Sequence, residues 1–259
     1  MGNVRQRPGR ETGSLVSMLW PVNRGWFEKV DGALRRAANG LFAGVCVVCG
    51  EAADPALGLC DGCEAALPWN RPCCARCALP LGAGTVLCGD CLRDPPPFWS
   101  TQAVWRYAFP LDRLLPRFKF HDDLAAGAVI ARGMAEALRE APRPEAIVPV
   151  PLHRQRLRER GYDQALELAK IVARRLGLPL LADGLRRVAP TKAQTGLDAI
   201  ARRRNLRGAF EARVLRPWPR HVALIDDVMT TGATLREATR ALRGAGVERV
   251  DVWVAARVE

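Results

Sequence analysis

The chain contains the segment Val222-Ala223-Leu224-Ile225-Asp226-Asp227-Val228-Met229-Thr230-Thr231-Gly232-Ala233-Thr234-Leu235. It opens with four apolar residues, as expected of a strand that is buried on both faces of a sheet. Two carboxylates follow, then a loop of small and hydroxyl-bearing residues. A helical pattern then runs from Thr234 to Arg243 and is ended by Gly244. A strand, a loop and a helix in this order are typical of parallel sheets, whose ligands bind at the carboxyl ends of the strands.

Each part of this segment has a chemical use. The loop amides, the freedom of Gly232 to take a positive φ and the first N–H groups of the helix together form a phosphate cradle. Asp226 and Asp227 can accept hydrogen bonds from ribose hydroxyls or hold a hydrated Mg²⁺. A plain strand-to-helix turn is the alternative, but the complete string favours a sugar-phosphate site. Its expected ligands are Asp226, Asp227, Val228, Met229, Thr230, Thr231, Gly232, Ala233 and Thr234.

Strand and helix patterns alternate on both sides of this segment. Asp163 is a predicted N-cap and Gly177 a predicted stop for the helix between them. The sequence therefore predicts an α/β fold with a mainly parallel sheet covered on both faces. The further predicted elements are strands at Ala103–Ala108, Ala146–Val150 and Val250–Ala255, and helices at Leu124–Leu138 and Gln164–Leu176.

The cysteines form an internal repeat of two C-x2-C-x10-C-x2-C units. All nine cysteines fall within residues 46 to 91, which is unlike a disulfide framework and matches tetrahedral zinc ligation. We predict two structural zinc ions, since so short a module has too few apolar residues to build a core unaided. Cys73 is left over as a spare thiol. The predicted ligands are Cys46, Cys49, Cys60, Cys63, Cys74, Cys77, Cys88 and Cys91.

The charge balance points to anionic partners. The 259 residues carry a formal net charge of +12, which suits nucleotide phosphates, nucleic acid or an acidic surface. The excess lies in the N-terminal tail and after residue 100, whereas residues 46 to 99 are acidic, which argues against a phosphate-binding zinc module. No membrane-spanning run and no secretion signal are read from the sequence, so we expect a protein of the reducing cytoplasm.

We expect three parts along the chain. Residues 1–45 are an extension, with a disordered tail and then a short amphipathic helix over residues 28–42. Residues 46–93 form the double zinc ribbon module, and residues 94–259 form the α/β domain. The segment Asp94-Pro95-Pro96-Pro97 is expected to be a stiff linker between these two parts.

The region after residue 45 resembles the ComF family, also called GntX-like: competence-associated proteins with a double zinc ribbon and a type I phosphoribosyltransferase domain. The resemblance rests on the cysteine repeat, on the segment from Val222 to Leu235 and on three further stretches. These are Val148-Pro149-Val150-Pro151-Leu152-His153-Arg154-Gln155-Arg156-Leu157-Arg158-Glu159-Arg160-Gly161-Tyr162-Asp163-Gln164-Ala165, Gln194-Thr195-Gly196-Leu197 and Arg202-Arg203-Arg204-Asn205-Leu206-Arg207-Gly208-Ala209-Phe210. It implies a site for phosphoribosyl diphosphate (PRPP) or a nucleotide containing ribose 5-phosphate.

The resemblance also implies roles for residues outside the phosphate loop. Leu152, His153 and Arg154 would lie in the loop that meets the diphosphate, with Arg160 nearby. Arg156 and Arg158 can serve there too or can equally belong to a solvated helix face. Residues 187–205, with Lys192, would be a flap that closes over the site. A hood that selects the acceptor would be built from irregular segments around residues 100–125.

At Thr230 the phosphate loop differs from that of the purine-salvage members of the same superfamily. Those proteins have an acid at this position that serves as general base for the purine, whereas a threonine cannot take a proton near neutral pH. Purine transfer is therefore doubtful. His153 belongs to a residue type that can take a proton near neutral pH, but a lone histidine is more often structural.

Two hypotheses follow for the function. In the first, Asp226 and Asp227 are the catalytic pair of a Mg²⁺-dependent transferase, which moves the phosphoribosyl group of PRPP to an unidentified acceptor. In the second, the fold is catalytically silent and serves the DNA-uptake machinery as a PRPP or nucleotide sensor, or as a component that handles single-stranded DNA together with DNA-uptake proteins.

Overall fold

The computed structural model describes residues 44–54, 56–188, 208–213 and 217–259. The expected tail and the expected helix over residues 28–42 lie outside the described residues. Lys192 and most of the expected flap lie outside them as well. Residues 44–259 form one compact unit, so the zinc module and the α/β part pack together.

The described residues form short strands in the zinc module and longer strands and helices after it. The strands are β1 (Gly44–Val45), β2 (Ala52–Ala53), β3 (Ser100–Arg106), β4 (Ala146–Pro149), β5 (Leu185–Arg187), β6 (Phe210–Ala212), β7 (His221–Met229) and β8 (Arg249–Arg257). The helices are α1 (Asp61–Ala65), α2 (Gly89–Arg93), α3 (Leu111–Phe120), α4 (Leu124–Ala137), α5 (Arg154–Arg160), α6 (Gln164–Leu176) and α7 (Ala233–Gly244). None of these helices has the length and apolar character that crossing a bilayer requires.

A four-stranded parallel sheet with the order β3-β8-β7-β4 organises the molecule. The expected parallel α/β fold is confirmed. Because parallel strands point the same way, the ends of β4, β7 and β8 lie at one edge, and the site must be sought there. Separate two-stranded antiparallel pairs join β1 to β2 and β5 to β6.

Both faces of the sheet are covered, as the apolar runs predict. On β7, Val222 and Leu224 face a core that includes Leu235 and Leu242 of α7. Ala223 and Ile225 alternate to the opposite face, where α3, α4 and α6 pack. This alternation follows from the two-residue period of a strand.

The capping residues fix the ends of α6 as predicted. The side chain of Asp163 accepts a hydrogen bond from the Leu166 amide, and Gly177 ends the helix with a left-handed conformation. β7 extends beyond the four apolar residues and includes Asp226 and Asp227, so the carboxylates belong to the strand and not to the loop.

The expectation of irregular segments over residues 100–125 is wrong. Residues 100–106 are an edge strand of the sheet, and residues 111–120 are helix α3, whose Leu111, Leu114 and Phe118 are buried. Pro116 lies inside this helix. Because proline lacks an amide donor, its presence normally argues against a helix interior, and the sequence therefore does not predict a helix here.

Each half of the zinc module contacts the α/β part. In the first half, Arg132 of α4 donates a 2.7 Å hydrogen bond to the carbonyl of Ala56, and Val129 packs beside Cys46 and Cys63. The second half packs on the α7 side of the sheet through Ala78. The segment after the module is fastened as well, since Arg236 of α7 donates to the Asp94 carbonyl at 2.9 Å.

Candidate functional site

The segment from Asp226 to Thr234 lies at the carboxyl edge of the sheet, where β7 turns into α7. Thr230 and Thr231 are exposed between the strand and the helix. Gly232 has φ +72° and is the N-cap of α7, with no side-chain cap. The amide of Ala233 donates to Oγ1 of Thr231 at 3.5 Å. The amides that follow it at the start of α7 remain available to an anion.

Gly232 is required by both conformation and space. A Cβ atom there would lie 2.5 Å from Cε of Met229, and a positive φ disfavours any side chain. Met229 is 2% exposed and fills the space beneath the turn. The small residue and the buried methionine together hold the loop close to the strand end.

The two carboxylates have different surroundings. Asp227 is 6% exposed, and its Oδ2 lies 2.9 Å from Nζ of Lys119, at the end of α3. Burial and the negative charge of Asp227 raise the pKa of Asp226 well above its ordinary value. Burial would lower the pKa of Lys119, but the charges of Asp227 and Asp226 outweigh it and raise that pKa. The site thus holds two adjacent acids and one built-in cation.

A cleft of about 220 Å³ opens over these carboxylates. Acidic and basic side chains line it, together with residues at the end of β4. The charged side chains can form hydrogen bonds and ion pairs with a sugar diphosphate from several sides. They are Asp163, Asp226 and Asp227 among the acids, and Lys119, Arg156, Arg160 and Arg187 among the cations. Phe120, Val150, Pro151, Leu152, Gln164, Ala165 and Thr234 complete the lining.

The loop after β4 is held by the cap of the next helix. Oδ2 of Asp163 accepts a 2.7 Å hydrogen bond from the amide of Leu152, and its Oδ1 accepts from Leu166. Burial raises the pKa of Asp163 despite these amides. His153 is the N-cap of α5, and its Nδ1 accepts from the amide of Gln155 at 3.3 Å. The histidine therefore has a structural partner of its own.

The arginines of α5 divide between the cleft and the solvent. Arg156 and Arg160 line the cleft, while Arg154, at the start of α5, is exposed and lies outside the lining found among the described residues. The guanidinium of Arg160 stacks 5.0 Å from the ring of Phe120 and donates to Gln164. Arg187, at the end of β5, reaches the same cleft.

Lys119, Phe120 and Asp163 line the cleft although the sequence does not predict them as ligands, and Arg156, whose role the sequence leaves open, lines it as well. The sequence predicts Asp163 only as a helix cap. Lys119 belongs to α3. The signal in the sequence for this helix is the helical spacing of its apolar residues, which are Leu111, Leu114, Leu115 and Phe118. Nothing local in the sequence places that helix end beside Asp227.

The eight paired cysteines form the two predicted clusters. In each, the four sulfur atoms lie within 4.8 Å of one another. Sγ of Cys49 lies 3.6 Å from Sγ of Cys60, and Cys77 and Cys88 show the same 3.6 Å. Zinc bound at about 2.3 Å requires tetrahedral edges of about 3.8 Å, so both clusters fit this ion. Cys73 lies outside both clusters.

Backbone amides favour the thiolate form at the first cysteine of each cluster. The amide of Cys88 donates to Sγ of Cys74 at 3.3 Å. Burial would raise the pKa of Cys74, but hydrogen bonds from backbone amides outweigh it and lower the pKa to about 7. The pKa of Cys46 is lowered to about 6 in the same way. Such amide-lined thiolates are what a structural zinc ion requires.

Comparison with known proteins covers both parts of the chain. A double zinc ribbon domain matches residues 37–92, and a phosphoribosyl transferase domain matches residues 163–258. Competence protein F of Haemophilus influenzae is 40% identical over 209 residues, which are 77% of this chain and 90% of that protein. The DNA utilization protein YhgH of Escherichia coli K12 is 32% identical over 206 residues, with the same coverage of 77% and 90%. Competence protein ComFC of Bacillus subtilis is 27% identical over 181 residues, 67% of this chain and 72% of that protein.

Proposed function

Because this chain belongs to the ComF family of double zinc ribbon and phosphoribosyltransferase-domain proteins, we propose that it binds PRPP and transfers its phosphoribosyl group to an acceptor, with loss of diphosphate. The observation that carries the proposal is the position of Asp226 and Asp227. They lie at the end of β7, beside Lys119 and next to the open turn at Gly232. Carboxylates suit ribose hydroxyls, and an uncapped helix start suits the 5′-phosphate.

Each part of the cleft has a role in this proposal. The amides from Thr230 to Thr234 hold the 5′-phosphate, and Asp226 and Asp227 accept from the ribose hydroxyls. Burial and the charge of Asp227 raise the pKa of Asp226. Hydroxyl donors or cations that bind here reduce the repulsion between the two acids. Arg156 and Arg160 hold the diphosphate as it leaves, because guanidinium groups pair with its oxygens in a bidentate manner.

Mg²⁺ fits the same donors, since carboxylate and diphosphate oxygens are the ligands it prefers. When bound, it would neutralise charge on the diphosphate. Lys119 already supplies one positive charge beside Asp227. In this reading the lysine is a positioning residue for the ribose-binding acid.

The setting of the activity is also part of the proposal. The relatives' names link them to competence and DNA utilization, and we place this protein in the same process. Residues 46–93 serve as the zinc module and residues 94–259 as the transferase domain. A cytoplasmic site suits the paired thiols, which bind zinc where the medium is reducing.

Titration calorimetry with PRPP and Mg²⁺ tests the binding. We expect a heat of PRPP binding that Mg²⁺ increases in the parent protein. We expect no binding heat in the variant that carries both Asp226→Asn and Asp227→Asn. The matched control is Asp183→Asn, because Asp183 is 84% exposed and is not among the residues that line the cleft. Heat that survives the double substitution would remove the basis of the proposal.

A second measurement separates transfer from silent binding. Release of diphosphate from PRPP is followed with a panel of bases and amines, and binding to single-stranded DNA is followed as salt is raised. Turnover with any acceptor supports the transferase. PRPP binding without turnover, together with DNA affinity that falls steeply with salt, supports the sensor or DNA-handling component instead.

A further inference from the structure

The first zinc ribbon makes a direct contact with α3, the helix that ends at the carboxylate cleft. Arg117 of α3 donates from Nη1 to the carbonyl oxygen of Val47. Val47 lies inside the turn from Cys46 to Cys49, and these two cysteines are predicted ligands of the first zinc cluster. The turn that carries half of a zinc site therefore holds a side chain of this helix.

Two residues after Arg117, the same helix carries the cation that faces the carboxylate pair. Nζ of Lys119 lies 2.9 Å from Oδ2 of Asp227. Successive residues of an α-helix are about 100° apart around its axis, so Arg117 and Lys119 project from nearly opposite sides. Phe118, between them, is buried in the core. The helix is thus held on one side by the zinc ribbon and presents its lysine to the site on the other.

Arg117 is also tied to the start of the next helix. Its Nη2 and Nε lie 2.6 and 2.9 Å from Oδ2 of Asp123. Oδ1 of Asp123 accepts from the Ala126 amide at 2.9 Å and so caps α4. Burial would raise the pKa of Asp123, but this amide and the guanidinium outweigh it and lower that pKa. A planar guanidinium that is paired with a carboxylate and a carbonyl at once is held in one orientation.

The first ribbon also packs closely against the helices of this face. Val47 and Val48 pack against the apolar core that includes Phe118 of α3. A Cβ atom at Gly58 would lie 2.8 Å from Cγ2 of Val129, so the ribbon backbone approaches α4 closely. A change in the ribbon therefore reaches these helices, because close-packed surfaces have little room to relax.

The metal site fixes the turn that holds Arg117. Apart from cysteines, Leu59 is the only buried apolar side chain that residues 44–54 and 56–67 contribute. So small a module does not build a core that would fix its turns unaided. When bound, zinc joins the two cysteine pairs of the first cluster into one unit. Loss of the metal would release the turn and, with it, the support of Arg117.

We propose that the first zinc ribbon, residues 44–67, is a positioning element of the sugar-phosphate site, and that Arg117 is the positioning residue through which it acts. The ribbon holds α3 at Arg117, and α3 holds the Lys119 ammonium against Asp227. Without the metal this ammonium loses its fixed place, and PRPP binds less tightly because the two acids repel each other more strongly. The inference rests on the proposed function, since PRPP binding is its measure.

A cycle of substitutions tests the route through Lys119. Calorimetry measures the affinity for PRPP with Mg²⁺ in Arg117→Met, in Lys119→Met and in the variant that carries both. We expect Arg117→Met to weaken binding about fivefold in the parent protein and to have no further effect when Lys119→Met is present, because residues that act as one unit are not additive. Arg113→Met is the matched control, since Arg113 is exposed on the same helix and its loss removes the same charge.

Removal of the first zinc ion tests the same route from the other end. Cys60→Ser should weaken PRPP binding about as much as Arg117→Met does, and this loss too should vanish when Lys119→Met is present. Zinc content is measured for every variant. In Cys88→Ser protein, which keeps the first cluster intact, PRPP should raise the affinity for zinc by the same factor, because coupling between two sites is reciprocal. Competition with a chelator measures that affinity.

The outcomes distinguish this inference from the function on which it rests. PRPP affinity that Arg117→Met leaves unchanged, or that Cys60→Ser leaves unchanged after one zinc ion is lost, overturns the inference while the proposed function stands. An equal loss with and without Lys119→Met overturns it as well, because independent contributions add. PRPP that does not bind the parent protein overturns the proposed function and this inference together.

Discussion

The guanidinium of Arg257 donates a hydrogen bond of 3.1 Å from Nε to the carbonyl oxygen of Cys77. Arg257 ends the last strand of the sheet and is 7% exposed, and Cys77 is a predicted zinc ligand of the second ribbon. The same guanidinium donates to the carbonyl of Met229, which is the last residue of β7. One buried side chain thus joins the zinc ribbon to the strand that leads into the turn at Gly232.

Arg257→Ala should lower the free energy of unfolding by about 2–3 kcal/mol, because buried carbonyls lose their donors. Urea unfolding measures this loss. Arg139→Ala is the control, since Arg139 is exposed and its ion pair with Glu136, three residues earlier in the chain, has little expected value. Equal midpoints for the two variants would contradict the role assigned to Arg257.

Lys119→Met should weaken PRPP binding by about tenfold, because Asp227 loses the cation 2.9 Å away and the two acids repel each other more strongly. Titration calorimetry measures the affinity. Lys170→Met provides the control, as Lys170 is exposed and contacts Glu167 on the outside of α6. A Lys119 variant that binds as the parent does would show that the ion pair is only structural.

Asp226→Asn should stabilise the protein while it abolishes PRPP binding. Burial and Asp227 raise the pKa of Asp226, so the folded protein holds that proton more tightly than the unfolded chain, whose aspartate has a pKa of about 3.9. Ionisation therefore removes stability as pH rises above that value. Asparagine avoids this loss.

The stability gain of Asp226→Asn over the parent should consequently be larger near about pH 8 than near about pH 5. Urea midpoints at the two pH values measure it, with Asp183→Asn as an exposed control. A gain that grows as the pH falls would have the wrong sign and would contradict the raised pKa.

Cys60→Ser and Cys88→Ser should each reduce the zinc content from two ions to one, because each removes one ligand from a separate cluster. Metal analysis of the purified variants measures the zinc content. Two ions retained by either variant would contradict the zinc assignment of its cluster.

Local chemistry in the sequence was enough for several elements. Asp163 and Gly177 fixed both ends of α6, because a cap and a left-handed stop act within one turn of the helix. The cysteine repeat predicted two clusters in the same way, since each C-x2-C turn brings its own sulfurs together. The apolar run before Asp226 predicted a fully buried strand.

The amino-acid sequence alone determined the parallel α/β fold, the two four-cysteine clusters and the turn from β7 into α7, because their signals come from residues close together in the chain. Only the tertiary structure decided that Lys119 meets Asp227 and that Arg257 donates to the carbonyls of both Cys77 and Met229. Those contacts join residues far apart in the chain. Their partners are selected by how helices and the ribbon pack on the sheet, which no local pattern of residue types specifies.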